Sequence, residues 1–207
     1  MNTYPKSDCT YVYVAEIPEG ELKELYPRER QSEIDLIKNE KLKREKYYVW
    51  RLLEYALAES FGKDITELEF TKHESGRWST PFCEFSLSHT DGVVAVAISN
   101  ESVGVDVEIV KTRHNDKTAK RVMSAEEYNK YQKLSESERA EFFFCVWTGK
   151  EAVFKSLHQD SFVPSFDYHD SGIAVKTKKL FVKDAKVIVS VATEDKNVEF
   201  FDVRTLA

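Results

Sequence analysis

The chain has 207 residues, 42% hydrophobic and 32% charged, with a formal net charge of −6. That balance describes a soluble globular protein rather than a disordered one, with room for one large domain or two small lobes sharing a core. It argues against nucleic acid as the main partner, because a phosphate backbone needs a basic footprint, and no apolar run approaches the ~18 residues of a membrane span.

Taken in chain order, Thr10 to Ile17 is rich in β-formers (Tyr11, Val12, Tyr13, Val14) and predicts a strand. From Glu21 to Gly62 the pattern is helical, with Leu52, Leu53, Ala56 and Leu57 as an apolar stripe and Gly62 as C-cap. Thr66 to Thr71 is a short strand candidate, and His73 to Pro81 reads as loop. Phe82 to Ser88 and Val93 to Ser99 predict a hairpin, with His89 at its tip beside the turn pair Asp91-Gly92. Val103 to Val110 is the next strand. Asp116 to Gln132 and Ser135 to Leu157 predict helices, the second opened by a Ser135/Glu138 capping box. The tail returns to strands at 173–175, 179–182, 186–192 and 198–203. Antiparallel hairpins rather than regular βαβ units favour an α+β fold. The run Val93 to Ile98 is echoed by Lys186 to Ala192, which suggests two similar lobes, divided as residues 1–101 and 102–207.

Cys9, Cys83 and Cys145 are scattered, with no metal-ligand spacing, so reduced thiols in a cytoplasmic protein are expected. The N-terminus lacks the apolar core of a secretory leader.

Two segments concentrate the chemistry. In Gly104-Val105-Asp106-Val107-Glu108, the acids sit at i and i+2, so a strand points both to one face and Val103, Val105, Val107 and Ile109 to the other. Two such carboxylates repel unless a cation or a base lies between them. A D-x-E alone is more often a solvated sheet face. In Trp147-Thr148-Gly149-Lys150-Glu151-Ala152-Val153-Phe154-Lys155, residues Trp147, Glu151 and Lys155 share one helix face. The flanking sequence is apolar nearly all round, which predicts a buried helix whose charges need partners. Clustered acids can hold a hard divalent cation, and lysines beside it can hold phosphate. The basic run Lys41, Lys43, Arg44, Lys46 and Arg51 is either a solvated helix face or an anchor for a phosphorylated ligand.

With Phe85-Ser86-Leu87-Ser88-His89-Thr90 upstream and Ala119 to Tyr128 between them, these segments resemble the Sfp-type 4′-phosphopantetheinyl transferases, the holo-acyl-carrier-protein synthase superfamily. The resemblance covers roughly residues 44 to 155 in the family's order. It implies a monomer of two similar α/β lobes in pseudo-twofold arrangement. It implies transfer of the phosphopantetheine arm of coenzyme A to a serine of an apo acyl or peptidyl carrier protein, with release of adenosine 3′,5′-bisphosphate. Asp106, Glu108 and Glu151 are implied as ligands of Mg²⁺, and Glu151 also as base for the serine. Lys155, with Lys150 beside it, would meet the phosphate. Arg44, Arg51, Arg77, Ser88 and His89 would hold the nucleotide's phosphates. Lys117, Lys120, Arg121, Val122 and Met123 would offer an acidic carrier protein complementary charge and an apolar anchor. The chain departs from the family at Arg77, where a lysine followed by proline is usual, and in lacking a glycine after Lys155. Gly149 is unusual within a helix, at a cost of ~1 kcal/mol relative to Ala.

Two other readings compete. A non-catalytic coenzyme A or carrier-binding module of the same fold would not need Asp106, Glu108, Glu151 and Lys155 together. A metal nuclease of the D…E-x-K type is disfavoured, because Ile109-Val110 follows Glu108 where the lysine should stand.

Overall fold

The computed structural model describes residues 8–111, 116–158, 171–204 and 206. The first residues of the stretch read for a leader, 1–7, lie outside them. The chain opens with β1 (Cys9–Glu16). The helical stretch expected from Glu21 to Gly62 is two helices, α1 (Arg28–Asp35) and α2 (Glu40–Phe61). The break comes before Asn39, whose side chain accepts the Leu42 N–H at 3.0 Å and starts α2 afresh. Gly62 ends α2 in the left-handed conformation, with φ of 60°, as its sequence position predicts.

Where a strand was expected from Thr66, Asp64 caps a 3₁₀ turn over Ile65–Glu67 by accepting the Thr66 N–H at 2.8 Å. Pairing starts only at β2 (Thr71–Lys72), which meets β3 (Trp78–Ser79) inside the expected loop. β4 (Glu84–Thr90) and β5 (Val93–Ser99) form the predicted hairpin. Asp91 and Gly92 both take positive φ, 23° and 87°, so the turn is only two residues long. His89 therefore lies within β4, paired with Val94, and not at the tip.

After β6 (Val103–Ile109) the expected single helix is again two, α3 (Asp116–Val122) and α4 (Ala125–Gln132). Ser124 and Glu127 form a capping box that restarts the chain, a signal of the same kind as the Ser135/Glu138 box that opens α5 (Glu136–Ser156). β7 (Ala174–Val182) runs unbroken through two predicted short strands and is followed by β8 (Ala185–Thr193) and β9 (Asn197–Val203).

The main strands make two sheets, ordered β4-β5-β1-β9 and β6-β8-β7. β9 returns to the first sheet and runs parallel to β1; the other ladders are antiparallel. Strand alternation assigns the faces. Tyr13, Val94, Val96 and Ile98 face α2, where Trp50, Leu52, Leu53 and Leu57 complete one core. Val12, Val14, Val93, Ala95 and Ala97 face the second sheet and meet Val103, Val105, Val107, Val187, Val189 and Val191. α5 covers the other face of the second sheet. The layers are thus helix, sheet, sheet, helix, an α+β architecture. β5, the inner strand of the echo, is buried at every residue because helix and sheet cover its two faces.

Gly104 fixes how close α5 comes. A Cβ there would stand 1.9 Å from the Ala152 carbonyl oxygen and 2.5 Å from the Ser156 nitrogen. Helix and strand backbones therefore touch directly, and the first glycine of the G-x-D-x-E segment is a packing requirement. Gly104→Ala is expected to destabilise the fold by about 3 kcal/mol or more, at the upper end of overpacking costs; an unchanged thermal midpoint would show that α5 can move aside freely.

At the hairpin tip, Asp91 receives Lys41 and Lys111, the latter at 2.5 Å. The Lys111 hydrogen bond, followed by that from Lys41, holds its carboxyl down at about 2. A depressed carboxylate stabilises the fold above its unfolded value of ~3.9, and that contribution fades as pH falls toward the folded one. The gain is small because the side chain is 36% exposed. Asp91→Asn, which keeps the turn, should flatten the loss of stability between roughly pH 4 and pH 2 in urea titrations; an acid limb unchanged from the wild type would assign that loss to other carboxylates.

Candidate active site

β4 and β6 are edge strands of different sheets and share no backbone ladder. Hydroxyls join them instead. Ser86, Ser88 and Thr90 alternate on the β4 face opposite Phe85, Leu87 and His89. Ser86 Oγ accepts the Val105 N–H at 3.0 Å, and Ser88 Oγ accepts the Val107 N–H at 3.3 Å. The Ser88 hydroxyl donates to Asp106 Oδ1 at 2.8 Å, and the Thr90 hydroxyl donates to Glu108 Oε2 at 2.8 Å. The two carboxylates are thereby oriented from the first sheet while standing on the second.

Lys155 reaches the same seam from α5. Its Nζ donates to Asp106 Oδ1 at 2.8 Å and to the Val105 carbonyl at 3.0 Å. Asp106 is 6% exposed, yet its Oδ2 is buried with no hydrogen-bond partner. Burial raises the Glu108 carboxyl above its usual range, opposed by the Thr90 hydroxyl and reinforced by Asp106. Glu151, one turn before Lys155, is raised by burial and then by the charge of Asp106, with Lys155 opposing and Glu108 adding. Glu108 and Glu151, both raised by burial and by the charge of Asp106 beside them, mark a site short of positive charge. Among the described residues, no three His, Cys, Asp or Glu side chains stand close enough to form a ready metal cage. Lys155 supplies the neutralising charge at Asp106. The orphaned Oδ2 and the all-oxygen donor set still fit a hard divalent cation.

The face of β4 bearing His89 opens on a cleft of about 580 Å³. Arg30, Lys46, Arg77, His89, Lys155 and His158 give it a basic lining, with Trp78, Phe85 and Phe154 as apolar wall. His89 Nδ1 lies 3.2 Å from Glu45 Oε2. Burial lowers the His89 pKa, Glu45 opposes, and Lys46 and Lys155 push it further down. Arg77 also pairs with Glu84 at 2.7 Å. Lys46, from the basic run on α2, lines the cleft, and so does Arg30, which the sequence pattern did not single out. Arg30 is 4% exposed, bonded to Glu33 at 2.9 Å and to the Lys46 carbonyl at 2.8 Å, and stacked on Trp50. An arginine on a short polar helix carries no periodic signal, so only packing on Trp50 reveals it.

The structure brings Asp106, Glu108 and Glu151 together, and Lys155 links this acid group to the cleft lined by His89 and Arg77. It does not bring the rest. Ser88 faces Asp106 rather than the cleft. Arg44 bonds the Gly20 carbonyl at 2.8 Å and the Pro18 carbonyl and packs on Tyr48, which spends its fork on the chain before α1. Arg51 pairs with Glu54 along α2. Lys150 is a clear correction: it is 2% exposed and points toward α3 and α4, where it meets Glu127 at 2.9 Å. Adjacent helix positions diverge by about 100°, so Lys150 cannot share the face of Glu151. Val122 and Met123 are a second correction. At 2% and 4% exposure they belong to the core beneath α3, with Tyr131, Phe143 and Val146, and offer no anchor to a partner. Lys117, Lys120 and Arg121 are exposed on the same helix.

Residues 102–187, which carry the acids and Lys155, match the family model described as 4′-phosphopantetheinyl transferase superfamily. A 4′-phosphopantetheinyl transferase of Bacillus subtilis is 29% identical over 120 residues, 54% of this chain and 53% of that protein. The transferase gsp of Aneurinibacillus migulanus is 32% identical over 96 residues, 46% of this chain and 40% of that one. The transferase Sfp of Bacillus subtilis strain 168 is 27% identical over 130 residues, 58% of this chain and 57% of that one. The chain thus spans about half the length of the curated relatives it matches. By motif, and by likeness over about half its length, it resembles this superfamily.

Ser88 serves two partners at once, so Ser88→Ala should cost about 2 kcal/mol, the range for a hydrogen bond to a buried charge. Chemical denaturation measures this; a loss below about 0.5 kcal/mol would show that water replaces the hydroxyl and that the seam is not closed.

Proposed function

We propose that the chain transfers the 4′-phosphopantetheine arm of coenzyme A to a serine of an apo acyl or peptidyl carrier protein, as a Mg²⁺-dependent holo-acyl-carrier-protein synthase. The observation that carries this reading is the buried acid group, with Asp106 Oδ2 unpartnered and its Oδ1 bonded to Lys155, which also lines the basic cleft. The matched family model and the transferase relatives support it.

In this reading the first sheet with α2 and the second sheet with α5 are the two lobes of a pseudo-twofold monomer acting in the cytoplasm. Residues 1–101, with β9 added to their sheet from the end of the chain, contribute the nucleotide side, and the rest of residues 102–207 the metal site and the carrier surface. Asp106, Glu108 and Glu151 would hold Mg²⁺, which when bound supplies charge neutralisation and polarisation of the pyrophosphate. Arg77, His89, Lys46 and Arg30 line the cleft where the phosphates of the nucleotide would lie. Glu151 takes the proton of the carrier serine hydroxyl, a role suited to a carboxylate raised by burial. The serine oxygen bonds to the phosphorus of the pantetheine phosphate, the pyrophosphate P–O bond breaks, and adenosine 3′,5′-bisphosphate leaves with the electron pair. Lys155 Nζ, the cation beside Asp106, stabilises the charge that develops there. An acidic carrier would dock against the exposed Lys117, Lys120 and Arg121 of α3.

Incubation with coenzyme A, Mg²⁺ and a panel of apo carrier proteins, read by intact mass, is expected to show a phosphopantetheine adduct. Glu151→Gln should lower the rate by at least about 10²-fold, as for loss of a general base, with the thermal midpoint retained. Coenzyme A binding without an adduct on any carrier would favour the non-catalytic module instead.

A further inference from the structure

The lysine next to Glu151 does a different job from its neighbour. Lys150 Nζ donates to the Val122 carbonyl at 2.6 Å and pairs with Glu127 Oε2 at 2.9 Å. Val122 is the last residue of α3, and Glu127 lies in the first turn of α4. The same Oε2 accepts the Ser124 N–H at 2.7 Å, so one carboxylate oxygen both caps α4 and receives the lysine. A cation at the end of one helix and an acid at the start of the next suit both backbone dipoles.

The pair is nearly sealed: the two side chains are 1% and 9% exposed. Desolvating two charges this far offsets most of their attraction, so a buried ion pair is weak evidence of stability. Its best-attested use is to fix one geometry among several apolar alternatives. Here the geometry fixed is that of α3 relative to α5. Ala119, Val122 and Met123 fasten the inner side of α3 to Phe143 and Val146 of α5 by apolar contact, which sets no register of its own. The Lys150 ammonium supplies the directional contact, and it leaves α5 one residue before Glu151.

We propose that Lys150, with Glu127, is a positioning residue that sets the distance from the carrier-docking helix α3 to Glu151, and so aims the carrier's serine. This rests on the transferase reading above. It assigns Lys150 to the protein partner and away from coenzyme A.

Lys150→Met alone would strand a buried carboxylate, so the informative protein is Lys150→Met with Glu127→Gln. Glutamine keeps the capping box, and removal of both charges leaves no uncompensated ion. Thermal midpoint, coenzyme A affinity by calorimetry, and transfer kinetics against one apo carrier are measured on this full-length variant and on the wild type. The expected result is a midpoint within a few degrees, unchanged coenzyme A affinity, and a KM for the carrier raised about tenfold or more. Unchanged carrier KM in a folded variant overturns the proposal. A parallel fall in coenzyme A affinity also overturns it and returns Lys150 to the phosphate site. If wild-type protein modifies no carrier, the transferase reading falls and takes this proposal with it. Unchanged carrier KM beside normal wild-type transfer sinks the positioning role alone.

Discussion

The hydroxyl seam between β4 and β6 is the contact on which the site depends. Two sheets packed face to face have no intrinsic reason to hold their edges in register. Apolar packing between Val12, Val14 and Val105, Val107 is non-directional. Ser86, Ser88 and Thr90 provide the direction, by filling the outward N–H groups of β6 and by donating to Asp106 and Glu108. Ser88 thus both joins the sheets and orients Asp106, while Thr90 orients Glu108. The groups that β4 contributes are short serine and threonine side chains, which lose little conformational freedom on ordering.

The second constraint is on α5. Gly104 lets its backbone lie on β6, so that Glu151 and Lys155 reach the seam from above while Lys150 turns toward α3. One helix then carries three charged groups to two destinations. The pKa pattern follows. Glu108 and Glu151 rise because burial removes water and Asp106 adds like charge, while Lys155 pairs with Asp106 and offsets Glu151 only in part. An acid cluster left short of positive charge favours a cationic ligand; the cost falls on stability and the benefit on binding.

Much of this was legible in the residues. The face rule for Asp106 and Glu108 holds, with Val103, Val105 and Val107 in the inter-sheet core. The Asp91-Gly92 turn, the Gly62 cap and the Ser135 box stand where their chemistry puts them. The errors share a cause. Helices expected to run on were split at Asn39 and at Ser124, where a local side chain to backbone bond outweighs apolar periodicity. His89 moved from the tip into the strand because a two-residue turn needs no more. Ser88 was read as a ligand contact beside His89, although alternation sends neighbours on a strand to opposite faces.

Sequence alone determined the local elements and the inventory of reactive groups, since these follow from periodicity, caps and residue chemistry within a few positions. Spacing along α5 also put Glu151 and Lys155 on one face. Tertiary structure decided what each group meets. Arg30 became cleft lining by stacking on Trp50, Arg44 was spent on the segment before α1, Arg51 on Glu54 along α2, and Val122 and Met123 were buried. Lys150 was turned to Glu127, 23 residues earlier in the chain. Such outcomes depend on contacts far apart in sequence, and a buried charge takes whichever partner the packing brings within reach, because leaving it unpaired costs more than any local preference can return.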